Sequence, residues 1–159
     1  MNETIKLLAS RLQARGWWLG TAESCTGGLL SAALTGVAGS SQWFERGIVC
    51  YSNAAKQELL NVSPQALEQH GAVSIEVAEA MATGMLSRYP LQLAVSITGI
   101  AGPGGGSREK PVGLVCMACG TAENGVINIS SDSYIFEGDR DSVRLQATEQ
   151  ALRLLLMAA

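Results

Sequence analysis

The chain has 159 residues, 47% of them hydrophobic and 16% charged, with a formal net charge of −3 and a sequence pI near 5.1. That length suits one domain, residues 1–159, with a sizeable core, and the composition excludes a disordered chain. The acidic balance argues against broad nucleic-acid binding. No apolar run reaches the length of a membrane span or follows a basic leader, so a cytoplasmic setting without nucleic-acid or membrane partners is expected.

Asn2 to Arg15 predicts a helix with Ile5, Leu7, Leu8 and Leu12 on its apolar face and Gly16 as its stop. Trp17 to Thr21 predicts a strand, and Thr26 to Val37 a second helix ended by Gly36 and Gly39. After a short turn at Ser40 to Phe44, Gly47 to Tyr51 predicts another strand. Ser52 or Asn53 then caps a helix over Ala54 to Leu60. Ser63-Pro64 opens a helix that stops at His70-Gly71, and Ser74 opens one that ends before Pro90. Leu93 to Thr98 predicts a buried strand, Gly99 to Lys110 a glycine-rich loop, and Val112 to Cys119 and Val126 to Phe136 a hairpin turned at Asn124-Gly125. Asp139 to Met157 closes the chain as an amphipathic helix.

Helices and strands interleave first and a hairpin follows. The expected fold is therefore an α/β class, three-layer α/β/α domain with a mixed sheet, whose strand order the sequence leaves open. The cysteines are Cys25, Cys50, Cys116 and Cys119. Cys116-Met117-Ala118-Cys119 has a C-x-x-C form, but in a strand its thiols face opposite sides of the sheet, so neither zinc nor redox use is expected.

Chemistry concentrates in three turns that each leave a strand. In Thr21 to Leu30, Ser24 sits where a strand gives way to a helix, beside Cys25, Thr26, Gly27 and Gly28. A hydroxyl, a thiol and backbone amides there can attack a carbonyl and hold its oxyanion, with the amides of Cys25 to Gly27 as donors; helix capping is the plainer reading of the same residues. In the second turn, Tyr51 to Lys56, burial and the helix start would lower the lysine pKa and suit it to act as a base. His70, the only histidine, stands at a helix end and is the poorer base. The third, Gly99 to Lys110, is neither a Walker A loop nor a dinucleotide fingerprint; it is a phosphate cradle or a flexible connection. Arg140, between Asp139 and Asp141, can contact an anion or pair with its neighbours, and Arg108 and Lys110 are in the same position.

Ala22-Glu23-Ser24-Cys25-Thr26-Gly27-Gly28, Gly39-Ser40-Ser41, Trp43-Phe44, Gly47, Tyr51-Ser52-Asn53-Ala54-Ala55-Lys56, His70-Gly71-Ala72-Val73-Ser74, Ser96-Ile97-Thr98-Gly99-Ile100-Ala101-Gly102-Pro103-Gly104-Gly105, Lys110-Pro111-Val112-Gly113 and Gly138-Asp139-Arg140-Asp141 together resemble the CinA C-terminal domain family. The nearest likeness is to its stand-alone nicotinamide-nucleotide amidohydrolases, and it covers almost the whole chain. The resemblance implies hydrolysis of the carboxamide of nicotinamide mononucleotide to nicotinate mononucleotide and ammonia, without metal or cofactor, and a tendency to form homo-oligomers. It implies Ser24 as nucleophile and Lys56 as its base. Tyr51, Asn53, Thr98, Gly99, Gly102, Gly104 and Arg140, with Cys25, Thr26 and Gly27, would bind the substrate. Activities of the N-terminal domain of longer members are not implied. A nucleotide-binding module without turnover, and an amidase for a related small molecule, remain as alternatives.

Overall fold

The computed structural model describes residues 1–159. Three segments pair in parallel: β1 (Leu19–Glu23) lies between β2 (Phe44–Val49) and β3 (Leu93–Gly99). A hairpin of β4 (Leu114–Glu123) and β5 (Val126–Ile135) continues from β3 in antiparallel fashion, giving a mixed sheet of order β2-β1-β3-β4-β5. The hairpin turns at Asn124-Gly125, whose φ values of 52° and 79° are the left-handed pair that a two-residue type I′ connection demands.

The helices are α1 (Asn2–Arg15), α2 (Leu29–Thr35), α3 (Asn53–Leu60), α4 (Pro64–His70), α5 (Ile75–Arg88) and α6 (Arg140–Ala158). From β1 the chain steps one way to β2, then returns past β1 to β3. Right-handed crossovers that run in opposite directions put their helices on opposite faces. So α2 lies on one face and α3 to α5 on the other. On the first face Ile5, Leu8 and Leu12 of α1, Leu30 and Leu34 of α2, and Val143, Ala147 and Leu155 of α6 pack over Leu93, Val95 and Ile97. On the second, Leu60, Leu67, Met81 and Met85 pack over Ala22 and Ala94. The alternation along β3 supplies both faces. The result is the expected three-layer α/β/α architecture. The C-x-x-C thiols are split by the same alternation: Cys116 packs with Ala78 and Ala82, and Cys119 lies in the core beneath α1 and α6.

Several boundaries differ from the sequence expectation; β4 runs Leu114–Glu123 rather than Val112 to Cys119, carried on by its pairing with β5 as far as Glu123 with Val126. β1 is displaced from Trp17–Thr21 to Leu19–Glu23, because Thr21 and Glu23 are carried into a wholly buried central strand with their hydrogen bonds made by neighbours. β2 covers Phe44–Val49 rather than Gly47–Tyr51. The Cys50 amide donates to Glu23 O at 2.9 Å, and the chain then leaves the sheet, so Tyr51 stands beyond the strand's carboxyl end. α2 is shorter than Thr26–Val37, since Gly27 and Gly28 take φ of 60° and 99°, which no right-handed helix contains.

Gly84, within α5, passes so close to the end of α3 that a Cβ there would stand 2.0 Å from Leu60 O. Gly84→Ala is therefore expected to cost about 1–3 kcal/mol. A fall in the thermal midpoint of roughly 3–10 °C would register it. An unchanged midpoint would show that the contact between α3 and α5 yields without cost.

Candidate active site

The connections leaving β1 and β3 diverge to opposite sides, which makes the carboxyl ends of these two strands the switch point where open α/β sheets bind ligands. Ser24 directly follows β1, and its amide donates to Ile97 O of β3 at 2.9 Å, so the hydroxyl is anchored across that crevice. The turn after it is closed from below by Glu23. This fully buried carboxylate accepts from the amides of Gly28 (3.0 Å), Leu30 (3.1 Å) and Ser31 (2.8 Å), and from the Ser31 hydroxyl (2.6 Å). A carboxylate at a helix N-terminus satisfies its unpaired donors and complements its dipole.

That arrangement corrects the expectation that the first helical amides face a ligand. The Gly27 amide is also engaged, donating to Ser24 O at 3.0 Å. The amides of Cys25 and Thr26 meet no oxygen acceptor in the protein, only the Cys25 sulfur. Glu23 received no role from the sequence, although an acid just before a serine-glycine turn and an apolar helix was the available signal.

Lys56 approaches from the other face of the sheet. Ser52 caps α3 by accepting from the Ala55 amide, which settles the choice between Ser52 and Asn53. One turn on, Lys56 points inward and is only 1% exposed. Its Nζ lies 3.1 Å from Ser24 Oγ, 2.9 Å from Cys50 O and 3.2 Å from Tyr51 O. None of these partners is a carboxylate. Burial therefore pushes the Lys56 pKa below its ordinary value of 10.5, the direction a general base requires. Two carbonyls can take the N–H bonds of a neutral amine while its lone pair meets the Ser24 hydroxyl.

A cavity of about 280 Å³ opens over this pair, lined by Ser24, Cys25, Tyr51, Lys56, Thr98 and Arg140 together with Gly99, Gly102, Gly104 and Gly105. Most of the residues expected at the site thus meet in one cleft. The Thr98 hydroxyl donates to Ala72 O at 2.7 Å and fixes the loop that walls one side. Tyr51 is 59% exposed at the rim, where its hydroxyl accepts from Arg140 Nη2 at 3.1 Å. Arg140 Nη1 donates to Gly102 O at 2.8 Å, so this guanidinium bridges two walls rather than pairing with Asp139 or Asp141.

Thr26, Gly27 and Asn53 are outside the lining. Thr26 is fully buried, Gly27 shapes the turn, and Asn53 is exposed at the start of α3. His70 lies elsewhere, 3.5 Å from a Glu76 carboxylate oxygen. Lys110 donates to His70 O, and Arg108 is exposed. The sequence reading also passed over Arg144, one turn beyond Arg140 on α6, whose guanidinium reaches the carbonyls of Cys25 (3.2 Å) and Thr26 (3.1 Å). Its signal was the four-residue spacing that puts both arginines on one helix face.

The cleft joins a hydroxyl, a buried amine and the backbone of Cys25, with the Thr26 amide in the turn directly behind, the parts of an acyl-transfer site. The Cys25 thiol competes poorly as nucleophile, because burial drives its pKa up to about 11, partly offset by its own and the Thr26 amides.

The chain is similar to known proteins along nearly its whole length. The nicotinamide-nucleotide amidohydrolase PncC of Enterobacter agglomerans is 51% identical over 156 residues, 98% of this chain and 93% of that protein. A CinA-like protein of Syntrophobacter fumaroxidans is 51% identical over 150 residues, 94% of this chain but 34% of that longer protein. The crystal structure of the competence damage-inducible protein A of Klebsiella pneumoniae superposes with a TM-score of 0.90 at 36% identity, covering 98% of this chain and 94% of that one. The family model for the CinA C-terminal domain matches residues 1–159, and the chain belongs to the CinA C-terminal domain family.

Proposed function

We propose that this protein is an amidohydrolase that converts nicotinamide mononucleotide to nicotinate mononucleotide and ammonia, with Ser24 as nucleophile and Lys56 as its base. The observation that carries the reading is the 3.1 Å contact between Lys56 Nζ and Ser24 Oγ, made by a buried amine with no carboxylate partner. The substrate class comes from the amidohydrolase relative that this chain matches along nearly its whole length. The cleft is consistent with it: about 280 Å³ is at the small end of ligand sites and suits a mononucleotide better than a dinucleotide. Arg140 uses two of its donors on Gly102 O and Tyr51 and keeps others for a phosphate at the rim.

The chemistry follows from the contacts. Neutral Lys56 takes the hydroxyl proton as Ser24 Oγ bonds to the carboxamide carbon, and the carbonyl π pair moves onto oxygen. The amides of Cys25 and Thr26 face the developing charge. The tetrahedral species collapses by breaking its C–N bond, and the Lys56 ammonium passes its proton to the leaving nitrogen, releasing ammonia. Water then adds to the acyl-serine while Lys56 accepts its proton. The ester C–O bond breaks, the Ser24 oxygen recovers that proton, and the acid departs. One amine alternates between base and acid throughout, and the Cys50 and Tyr51 carbonyls hold it in place for both roles.

Ammonia release from nicotinamide mononucleotide is expected to fall by at least about a thousandfold in Ser24→Ala and Lys56→Ala, with both variants folded. Release by the wild type that persists in Ser24→Ala would overturn the assignment, and tight binding without release would make the protein a nucleotide-binding module. Because Lys56 must be unprotonated to act, kcat/KM is expected to rise with pH through its depressed pKa, with a midpoint below 10.5, and then level off. A rate that falls across that range would remove Lys56 as the base. Arg140→Ala is expected to raise KM about tenfold or more while leaving kcat nearly unchanged. A non-phosphorylated amide should feel that substitution far less.

The serine assignment has a thiol counterpart. All four cysteines are buried, so a thiol reagent such as DTNB at pH 8 should label the native protein slowly and the denatured protein at four sites. Rapid native labelling at Cys25 would reopen it as the nucleophile.

A further inference from the structure

Arg144 stands behind the Ser24 turn, outside the cavity lining, and makes no hydrogen bond to a cavity-lining side chain. Its Nε donates to Cys25 O at 3.2 Å and its Nη2 to Thr26 O at 3.1 Å, while Nη1 lies 3.5 Å from the exposed carboxylate of Asp141. Thr26 O also accepts from the Leu29 amide at 3.3 Å. A planar trans peptide points its C=O and the following N–H in opposite directions. The Thr26–Gly27 peptide shows the consequence: its carbonyl is on Arg144 and its N–H is on Ser24 O at 3.0 Å. The Cys25–Thr26 peptide has its carbonyl on the same guanidinium, so planarity turns the Thr26 N–H away from Arg144, as it does the Gly27 N–H. No protein oxygen accepts from the Thr26 N–H there, and its one partner is the Cys25 sulfur.

We propose that Arg144 is a positioning residue for the reaction: by gripping two successive carbonyls from α6 it orients the Thr26 amide toward the oxygen that becomes negative when Ser24 attacks. The proposal rests on the acyl-transfer reading of the site. The planar fork of a guanidinium suits this task, because two of its N–H bonds reach adjacent carbonyls in a fixed geometry that an ammonium cannot reproduce. The Ser24 amide, the donor nearest the nucleophile, is already spent on Ile97 O. That leaves the Cys25 and Thr26 amides to stabilise the oxyanion, and the orientation of the second depends on Arg144. A donor of this kind matters only in the transition state, so its loss should appear in kcat and not in KM.

The test uses two reactions of the full chain: ammonia release from nicotinamide mononucleotide, and covalent labelling of Ser24 by a fluorophosphonate, whose phosphoryl oxygen needs the same donors. Arg144→Ala is expected to slow both by about a hundredfold. KM should stay within about threefold of the wild type, and the midpoint of the pH profile should not move, because the contacts of Lys56 are untouched. Arg144→Lys, which keeps the charge and much of the stem, should still lose about tenfold or more, and it serves as the test variant if Arg144→Ala does not fold.

Rates within about threefold of the wild type in either folded variant, a loss confined to KM, or a shifted pH midpoint would each overturn the proposal. A wild type that is labelled at Ser24 but releases no ammonia would sink the substrate assignment alone, and slowed labelling of Arg144→Ala would then still support the role of Arg144. A wild type inert in both reactions would overturn the acyl-transfer reading and this proposal together.

Discussion

The structure depends on one uncomfortable contact: the Lys56 amine, taken out of water and set against a serine hydroxyl. Burying an ammonium without a counter-ion costs several kcal/mol, which a folded chain can avoid by letting the amine lose its proton. The surroundings of Lys56 favour that outcome. Its other partners are two carbonyl oxygens, enough to satisfy a neutral amine and too little to hold a full charge comfortably. A carboxylate at either position would have kept the lysine charged and useless as a base. Glu23 is the nearest acid in sequence to Ser24, yet its oxygens are committed to the start of α2.

The sheet brings these groups together by topology rather than by sequence proximity. Ser24 leaves β1 and the Tyr51–Lys56 turn leaves β2, while the glycine-rich loop leaves β3. All three strands are parallel, so all three turns emerge at the same edge. The hairpin of β4 and β5 runs the other way and contributes breadth to the sheet; β4 also supplies the shelf on which that loop rests, through the bond from the Ile100 amide to Leu114 O at 2.8 Å. Gly99 shows how close this packing is, for a Cβ there would meet Leu114 O at 2.8 Å. Its glycine is required by approach rather than by φ.

Much of this was legible in the sequence, and the misses share a cause. Apolar runs and capping serines located the elements, and the residues that carry the family resemblance located Ser24, Lys56 and Arg140. Boundaries slipped where polar residues belong to a buried strand, as Thr21 and Glu23 do, because periodicity reads polar as exposed. Asn53, which the resemblance implied as a binding residue, stands outside the cleft: Ser52 takes the cap and Asn53 faces solvent. Glu23 and Arg144 were invisible for a different reason. Their effects pass through backbone groups, and which backbone groups they meet is decided by strand order and helix placement, which no local pattern encodes.

The position of α6 ties these observations together. Arg140 and Arg144 are one helical turn apart, so they project from the same side of its first turns. The first holds Gly102 and Tyr51 at the rim of the cleft, and the second holds the Cys25 and Thr26 carbonyls at its base. α6 is itself fixed by Val143, Ala147, Ala151, Leu152 and Leu155 in the core against β3 and α1. Burial of that apolar face sets the height and rotation of the helix, and with them the reach of both guanidinium groups. The helix that follows the whole sheet therefore acts as a clamp over the turns of β1, β2 and β3. Precision in the cleft is supplied by a rigid, deeply packed element and not by the loops that line it. In a site assembled this way the Ser24 turn is held by α6 from behind, whatever the glycine-rich wall in front of it does.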